Sequence, residues 1–321
     1  MNYLAARRVP TLAGEQAATR VPTLAGELAA MLAATLAVML SLVSFPAPAA
    51  VDAVDDDRRT ITLPAPARRI ISLAPHVTEL LFAAGAGDRI IGTSRYSDFP
   101  AAALDIPRIG DSFAIDAERV LALKPDLIVV WLHGNSEAQL EQIRKLGIPV
   151  FSSEPRRLAD IGSTLRRFGS LTGTGATAET AARLFERDVA ALRERYAGRP
   201  PVRVFYQIAE RPLLTINREH IIDDVLALCG ARNVFSELGV LTPNVTAEAV
   251  AARDPEAIVT SADEPGNQTS FGVWKKMTAM HATRKGNFIE LRSDLISRQS
   301  SRIIEGAKRL CAELDGIRAR R

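Results

Sequence analysis

The feature that most constrains this chain is one long amphipathic segment in its middle, from Ala176 to Gly198. Its apolar residues recur at steps of three and four, the spacing of one helical face: Ala178, Ala181, Phe185, Val189, Leu192 and Tyr196. Thr177 is the predicted N-cap, and Gly198 followed by two prolines is the predicted stop. At about 1.5 Å per residue, such a helix is a rod of roughly 30 Å, which is long enough to span a small domain.

Two similar segments flank this rod, 130 positions apart. Residues 117–129 and 247–259 align without a gap and share alanine, glutamate, valine, alanine, proline, isoleucine and valine at matching positions. Each segment is typical of a short helix with a glutamate in its first turn, then a proline, then a buried strand. One interpretation is chance similarity between two common units. The other is that the chain has two related lobes joined by the rod.

Residues 1–50 predict a secretory signal peptide. A basic leader precedes an almost wholly apolar run from Leu28 to Phe45 and then a group of small residues, which is the order of an export signal. An uncleaved membrane anchor is the alternative, because the apolar run would reach the width of a bilayer. No cysteine ends the run, so lipid attachment at a processed N-terminal cysteine is excluded. We therefore expect a periplasmic protein whose signal peptide is cleaved.

Charge, cysteines and histidines exclude several classes. The leader holds three arginines and two glutamates, so the formal net charge of +3 falls to +2 without it, which argues against a nucleic-acid-binding protein. The two cysteines, Cys229 and Cys311, either form a disulfide in an oxidising compartment or remain buried thiols. The four histidines are too scattered for a metal site, so we predict no metal and no cofactor.

Strands alternate with helices in both halves of the chain, which predicts parallel α/β lobes. Predicted strands begin near positions 61, 69, 89, 126 and 149 in the first half, and near 202, 257 and 287 in the second. The predicted fold is α/β, with residues 51–175 as the N-terminal lobe, 176–198 as the connecting helix and 199–321 as the C-terminal lobe. Ligands of open α/β sheets bind beyond the carboxyl ends of the strands. We therefore expect a ligand cleft between the lobes.

The predicted strand ends carry candidate ligand-binding residues: Pro75, His76, Tyr96, Trp131, His133, Gln207, Asp294 and Arg298. Arg298 suits a ligand carboxylate or phosphate, which an arginine holds with two donors. Alternatively, Arg298 and Asp294 form a surface ion pair, being four residues apart on a helix. Trp131 is alternatively a core residue, and Tyr96 a loop residue. The two histidines are either loop residues or ligands of a haem or metal.

Five stretches, taken in order, carry a family resemblance: Ser72 to Leu80, Tyr96 to Pro100, Glu118 to Asn135, the surroundings of the two cysteines, and Ser293 to Ile304. Over residues 69–316 the chain resembles the periplasmic substrate-binding proteins of ABC importers for cobalamin, ferric siderophores and haem. Within that family it is most similar to the cobalamin-binding members. The resemblance implies two lobes bridged by one long helix, with little closure on binding.

The resemblance also implies a function. The chain would capture cobalamin or a related corrinoid and deliver it to an ABC permease dimer in the inner membrane, as a monomer when free and without catalysis. A ferric siderophore or haem is the alternative ligand. An enzyme acting on a metal chelate is a further alternative, with His76 or His133 as its base, although the chain lacks the common hydrolase and nucleotide-binding motifs.

Residue roles follow from the same resemblance. Tyr96, Asp294 and Arg298 match cleft positions, and Glu118 and Glu248 match carboxylates that pair with permease arginines. The cysteines match the family's disulfide. The chain departs from the pattern where aromatic residues cover the corrin, having in their place Ser112 beside Phe113, Leu214, Thr242 and Leu295. We include the first four of these in the expected ligand site and expect fewer flat apolar walls there.

Overall fold

The N-terminal lobe is built on a four-stranded parallel sheet. The computed structural model describes residues 49–111, 114–266 and 271–321. An antiparallel hairpin of β1 (Val51–Val54) and β2 (Thr60–Leu63) precedes the sheet. The sheet has the order β4-β3-β5-β6, with the strands β3 (Ile70–Ser72), β4 (Ile90–Thr93), β5 (Leu127–Trp131) and β6 (Val150–Ser153). The helices of this lobe are α1 (Pro75–Ala83), α2 (Ala117–Ala122), α3 (Glu137–Arg144) and α4 (Leu158–Thr172). Short 3-10 turns cover Gly87–Arg89 and Ala101–Asp105.

The connecting rod is helix α5 (Gly175–Tyr196), which confirms the predicted long helix. It begins before the predicted cap, with Thr174 at the N-cap position, so the assignment of Thr177 as N-cap is wrong. Thr177 instead lies against Gly85, where an added Cβ would come within 2.9 Å of its side chain. Gly169 of α4 faces Ala178 at a similarly close distance. A side chain at position 169 would therefore not fit between these two helices.

The C-terminal lobe repeats the parallel sheet. Its order is β10-β7-β11-β12, and a separate antiparallel pair, β8-β9, lies beside it. The strands are β7 (Val202–Gln207), β8 (Ala209–Glu210), β9 (Leu213–Leu214), β10 (Ala231–Asn233), β11 (Ala257–Ala262) and β12 (Phe288–Arg292). The helices are α6 (Ile221–Leu228), α7 (Ala247–Arg253), α8 (Gly272–Lys275), α9 (His281–Lys285), α10 (Ser293–Ile296) and α11 (Ile303–Ala319). The predicted α/β fold of two lobes is confirmed.

One continuous apolar core joins the two lobes through α5. It contains Phe151 and Phe168 from the N-terminal lobe, Phe185 from α5, and Val204 and Leu314 from the C-terminal lobe, all of them buried. The opposite face of each sheet has a separate cluster of its own. The lobes therefore share one interior through α5, and each lobe has a smaller cluster of its own on the far face of its sheet.

The repeated sequence occupies corresponding places in the two sheets. Strands β5 and β11 are each third in their sheet, and α2 and α7 precede them. An arginine from the preceding strand region reaches the end of each helix: Arg69 donates to the Leu123 carbonyl and Arg203 to the Arg253 carbonyl. In each lobe an acidic residue after the repeated proline accepts the backbone N–H of that arginine. The similarity is thus one of structure as well as sequence.

A disulfide joins Cys229 and Cys311, which confirms the pairing and excludes the alternative of two free thiols. Cys229 follows the last residue of α6, and Cys311 lies within α11. Both side chains are fully buried, and the Cα atoms are 4.7 Å apart, a normal separation for a disulfide. The bond fixes the C-terminal helix to the lobe.

The predicted signal peptide lies outside the described residues, apart from its last two positions. Within the part of the chain that the structure describes, no helix combines the length and apolar character needed to cross a bilayer. The described fold therefore begins at the hairpin that precedes the first sheet.

Candidate functional site: a cleft between the lobes

A cavity of about 630 Å³ opens between the two lobes, a volume within the usual range for small-molecule sites. Its N-terminal side is formed by Trp131, His133 and Arg156. The other lining residues belong to the C-terminal lobe: Tyr206, Ile208, Glu219, His220, Ile222, Gly239, Val240, Leu241, Thr242, Ser261, Ser297 and Gln299. The cavity thus lies where the sequence predicts a cleft.

Trp131 forms the aromatic wall on the N-terminal side. It is the last residue of β5, and its ring meets the edge of the His76 ring at a centroid distance of 5.5 Å. Gly134 lies against the same ring, and an added Cβ there would overlap it. Burial, and then the charge of Arg298, lowers the pKa of His76 to about 3, so this histidine is neutral at physiological pH. His76 therefore supports Trp131 from behind as an uncharged ring.

His133 is held at the cavity edge by a buried carboxylate. Its backbone N–H donates to Oε2 of Glu154 at 3.0 Å, and its Nδ1 lies 3.3 Å from the same oxygen. Nη2 of Arg156 lies 3.4 Å from the other ring nitrogen, Nε2. Burial raises the pKa of Glu154, although its contacts with His133 and the charge of Arg156 oppose that shift. The ring is therefore oriented from both sides.

The C-terminal side combines hydroxyl groups with aliphatic side chains. Tyr206 is buried at the cavity floor, and burial raises its pKa even though the hydroxyls of Ser261 and Ser297 oppose the shift. Those two serine oxygens are 3.1 Å apart. Oε1 of Gln299 and Nε1 of Trp131 are buried without a partner among the described residues. Because buried polar atoms normally have partners, these two atoms are candidates for hydrogen bonds to a ligand.

His220 caps helix α6 beside the cavity. Its Nδ1 accepts the backbone N–H of Ile222 at 3.2 Å. Burial, and then the nearby charge of Arg156, lowers its pKa to about 4. Arg156 also faces Glu219 across the lobes at 3.5 Å. This pair links the two sides of the cleft.

A second contact between the lobes centres on Glu79, and we call it the Glu79 clasp: Glu79, Asp98, Arg298, Ser300 and Arg302. The Glu79 side chain is only 3% exposed and accepts from Arg298 at 2.9 Å, Arg302 at 3.2 Å and Ser300 at 2.5 Å. Arg298 also pairs with Asp98 at 2.6 Å. Partial burial acts to raise the pKa of Asp98, but Arg298 outweighs it and holds that pKa below its usual value.

Two predicted site residues are engaged at the Glu79 clasp: Arg298 belongs to it, and Asp294 pairs with its member Arg302. Asp294 accepts from Arg292 at 2.8 Å and from Arg302 at 2.6 Å, while Arg298 pairs with Glu79 and Asp98. The alternative of an Asp294–Arg298 ion pair is therefore not what the structure has. Both residues lie at the junction of the lobes and outside the cavity lining. Their role in ligand binding stays a prediction.

The other predicted ligand residues are divided between the cavity and its surroundings. Trp131, His133 and Thr242 line the cavity. Pro75 is the first residue of α1, Leu214 is half-buried in β9, and Tyr96 lies in an exposed loop with a φ of 65°. Ser112 and Phe113 lie outside the described residues. Four further lining residues were not predicted from the sequence: Arg156, Tyr206, Glu219 and Gln299. The only feature of the sequence that could have indicated them is their position near strand or helix ends.

Glu118 and Glu248 are exposed and occupy the same place in the two lobes. Each lies in the first turn of its helix, α2 or α7. Asp116 caps α2 through its side chain, and Thr246 caps α7 in the same way. Glu248 accepts from its own backbone N–H and from Thr246, which lowers its pKa. Both carboxylates are therefore available at the surface.

Comparison with known proteins places these features in a family. Residues 70–295 match the periplasmic binding protein family. A vitamin B12-binding protein of Yersinia pseudotuberculosis is 37% identical over 280 residues, covering 87% of this chain and 97% of the relative. The crystal structure of the periplasmic vitamin B12 binding protein of Vibrio cholerae is 33% identical, with a TM-score of 0.72 over 79% of this chain and 98% of that one. A periplasmic heme binding protein of Pseudomonas aeruginosa is 25% identical, with a TM-score of 0.64 over 77% and 92% of the two chains.

Proposed function

The chain belongs to the periplasmic binding protein family, and on that premise we propose that it captures cobalamin or a related corrinoid for an ABC importer. The observation that carries this proposal is the identity of 34–37% to vitamin B12-binding proteins over 90% or more of their length. Members of this family bind ligands and do not convert them, so we do not retain the enzyme alternative. The protein is thus a carrier.

The cleft supports this ligand class. It offers one aromatic wall at Trp131, aliphatic surface at Ile208 and Leu241, and two lining residues, Trp131 and Gln299, that each have a buried polar atom without a partner among the described residues. A large, mostly apolar macrocycle with amide groups at its edge matches that combination. Because cobalamin is larger than the cavity, we expect one edge of the ligand to remain in solvent.

Delivery to a membrane permease is the second part of the proposal. Two exposed glutamates, Glu118 and Glu248, lie at equivalent positions in lobes that share one core. A permease built from two related subunits would present two related sites, and each Glu–arginine pair would be individually weak. Two weak contacts on one scaffold reinforce each other through effective concentration. We further propose that residues 1–50 direct export and are removed, and that the free protein is a monomer.

Calorimetric titration of the purified mature protein with cyanocobalamin tests the proposed ligand. We expect one molecule bound per chain and no chemical change in the recovered ligand. Haem and a ferric catecholate, titrated in parallel, should bind more weakly. If either of them binds tightly while cyanocobalamin does not bind, the proposed ligand is wrong.

A variant pair tests the proposed cleft. Trp131→Ala should weaken corrinoid binding by about 10-fold or more, since it removes an aromatic face together with its buried area. Leu184→Ala is the matched control, because Leu184 is a half-exposed apolar residue of α5 away from the cavity. Equal affinities for both variants and the wild type would place the ligand elsewhere.

A further inference from the structure

His133 has the environment of a nitrogen ligand to a metal. Its side chain is 49% exposed at the cavity edge, whereas the carboxylate that holds it is 5% exposed. A histidine that coordinates a metal commonly donates its other ring N–H to a carboxylate, which fixes the tautomer and makes the coordinating nitrogen more basic. Glu154 is placed to accept such a proton from Nδ1, at 3.3 Å.

The neighbouring arginine indicates which ring nitrogen is free to coordinate. Arginine has only donors, so a hydrogen bond across the 3.4 Å contact from Arg156 uses Nε2 as its acceptor. Nδ1 then carries the proton and donates it to Glu154. The contact to Nε2 is longer than a normal hydrogen bond, and Arg156 also contacts Glu219 through its other terminal nitrogen, Nη1, at 3.5 Å, so it keeps a carboxylate partner if the contact to Nε2 is lost. A ligand that enters the cavity can therefore replace Arg156 at Nε2.

A bare metal ion does not suit this site, but a metal held in a macrocycle does. Among the described residues, no group of three or more histidine, cysteine, aspartate or glutamate side chains could hold an ion. A macrocycle supplies its metal with four equatorial nitrogens of its own. One protein nitrogen is then enough, because only an axial position is left to fill.

Resting on the proposed function, we propose that Nε2 of His133 coordinates the metal of the bound ligand as an axial ligand, so that the protein binds corrinoids with an exchangeable axial position more tightly than corrinoids whose axial positions are filled. For an aquated cobalt(III) corrinoid, the cobalt–oxygen bond to water breaks and a cobalt–nitrogen bond to Nε2 forms. The water leaves, and the oxidation state of cobalt does not change. Trp131, two residues earlier at the same strand end, lines the same cavity.

Absorption spectroscopy with two corrinoids tests this coordination. Aquocobinamide has an exchangeable axial water, whereas dicyanocobinamide has both axial positions filled by cyanide. The wild type should shift the visible bands of aquocobinamide toward those of its imidazole complex and leave the dicyano bands unchanged. His133→Ala should abolish the shift, and added imidazole should restore it. His281→Ala is the matched control, since His281 lies on α9 outside the cavity, and it should behave as the wild type.

Glu154→Gln tests the orienting carboxylate. Loss of a partner that holds a metal-ligating histidine commonly costs 10–100-fold in metal affinity. We expect aquocobinamide affinity to fall within that range, while dicyanocobinamide affinity stays within about twofold of wild type. A change of equal size for both corrinoids would indicate a structural role for Glu154 and would overturn the orienting role.

The outcomes separate this inference from the proposed function. If aquocobinamide binds with the same spectrum in the wild type and in His133→Ala, axial coordination is refuted and the binding function stands. If no corrinoid binds the wild type, the proposed function fails. Should hemin then bind with a Soret band that depends on His133, the axial role stands for a different macrocycle.

Discussion

Replacing the central carboxylate of the Glu79 clasp, by Glu79→Gln, tests how strongly the clasp holds the lobes together. The side chain of Glu79 is almost fully buried and accepts two arginine donors and one serine hydroxyl. Removing one member of a buried ion pair commonly costs about 3–5 kcal/mol, because the remaining charge is left uncompensated. Here each arginine keeps a second carboxylate, Asp98 for Arg298 and Asp294 for Arg302. We therefore expect a smaller loss of about 2–3 kcal/mol, at or below the lower limit of that range.

Urea unfolding, followed by circular dichroism, measures this loss. Glu313→Gln is the matched control: Glu313 pairs with Arg309 on the exposed surface of α11, and such a pair contributes about 0.3–0.5 kcal/mol. A decrease in the free energy of unfolding for Glu79→Gln no larger than that of the control would refute the reasoning. It would show that the desolvation of the clasp offsets its attraction.

Three further predictions concern docking, pH and the disulfide. Glu118→Ala combined with Glu248→Ala should leave ligand affinity unchanged in calorimetry and lower uptake through the cognate permease; wild-type uptake, or a loss of ligand affinity, would show that these are not docking residues. His76 has a pKa of about 3 in the fold against 6.5 in a solvent-exposed chain, so between these values the unfolded state binds a proton that the folded state does not. Stability should therefore fall as pH is lowered from about 6.5 to about 3, and His76→Phe should flatten the pH dependence of urea midpoints; an unchanged slope would contradict the assignment. Cys229→Ser with Cys311→Ser should lower the free energy of unfolding by at most about 4–5 kcal/mol, since the bond closes a loop of roughly 80 residues; an unchanged urea midpoint would mean that the bond adds no stability.

Features with a local signature could be predicted from the sequence. Helix α5 shows its buried face as a run of apolar residues at helical spacing, and that face is the one that packs. Trp131 and His133 could be placed at the cleft because the end of a parallel strand is a defined place in an α/β sheet. The start of α5 could not, because the helix begins after Thr174, whose side chain makes no capping hydrogen bond, so no capping hydroxyl marks its first turn.

The Glu79 clasp shows why other parts of the site escaped prediction. Glu79 and its arginine partners are more than 200 residues apart in the chain, so no local pattern connects them. The available signal was indirect: every residue of α1 from His76 to Leu81 is buried, and a glutamate within such a helix requires a partner. That reasoning indicates a buried ion pair but not which arginine completes it. The prediction of Arg298 as a ligand-binding residue rests on its place near a strand end and on the family resemblance, and neither indicates its partners Glu79 and Asp98.

The continuous core through α5 has a consequence for the kinetics of ligand exchange. Apolar residues of both lobes and of the rod pack into one cluster, so a hinge motion of the lobes would have to expose part of that interior. We expect ligand association to proceed as a single bimolecular step, with no slow isomerisation that saturates at high ligand concentration. Differences in affinity between corrinoids would then arise almost entirely from their dissociation rates. If the proposed delivery to a permease holds, the residence time of the ligand that is delivered is set by contacts inside the cleft alone.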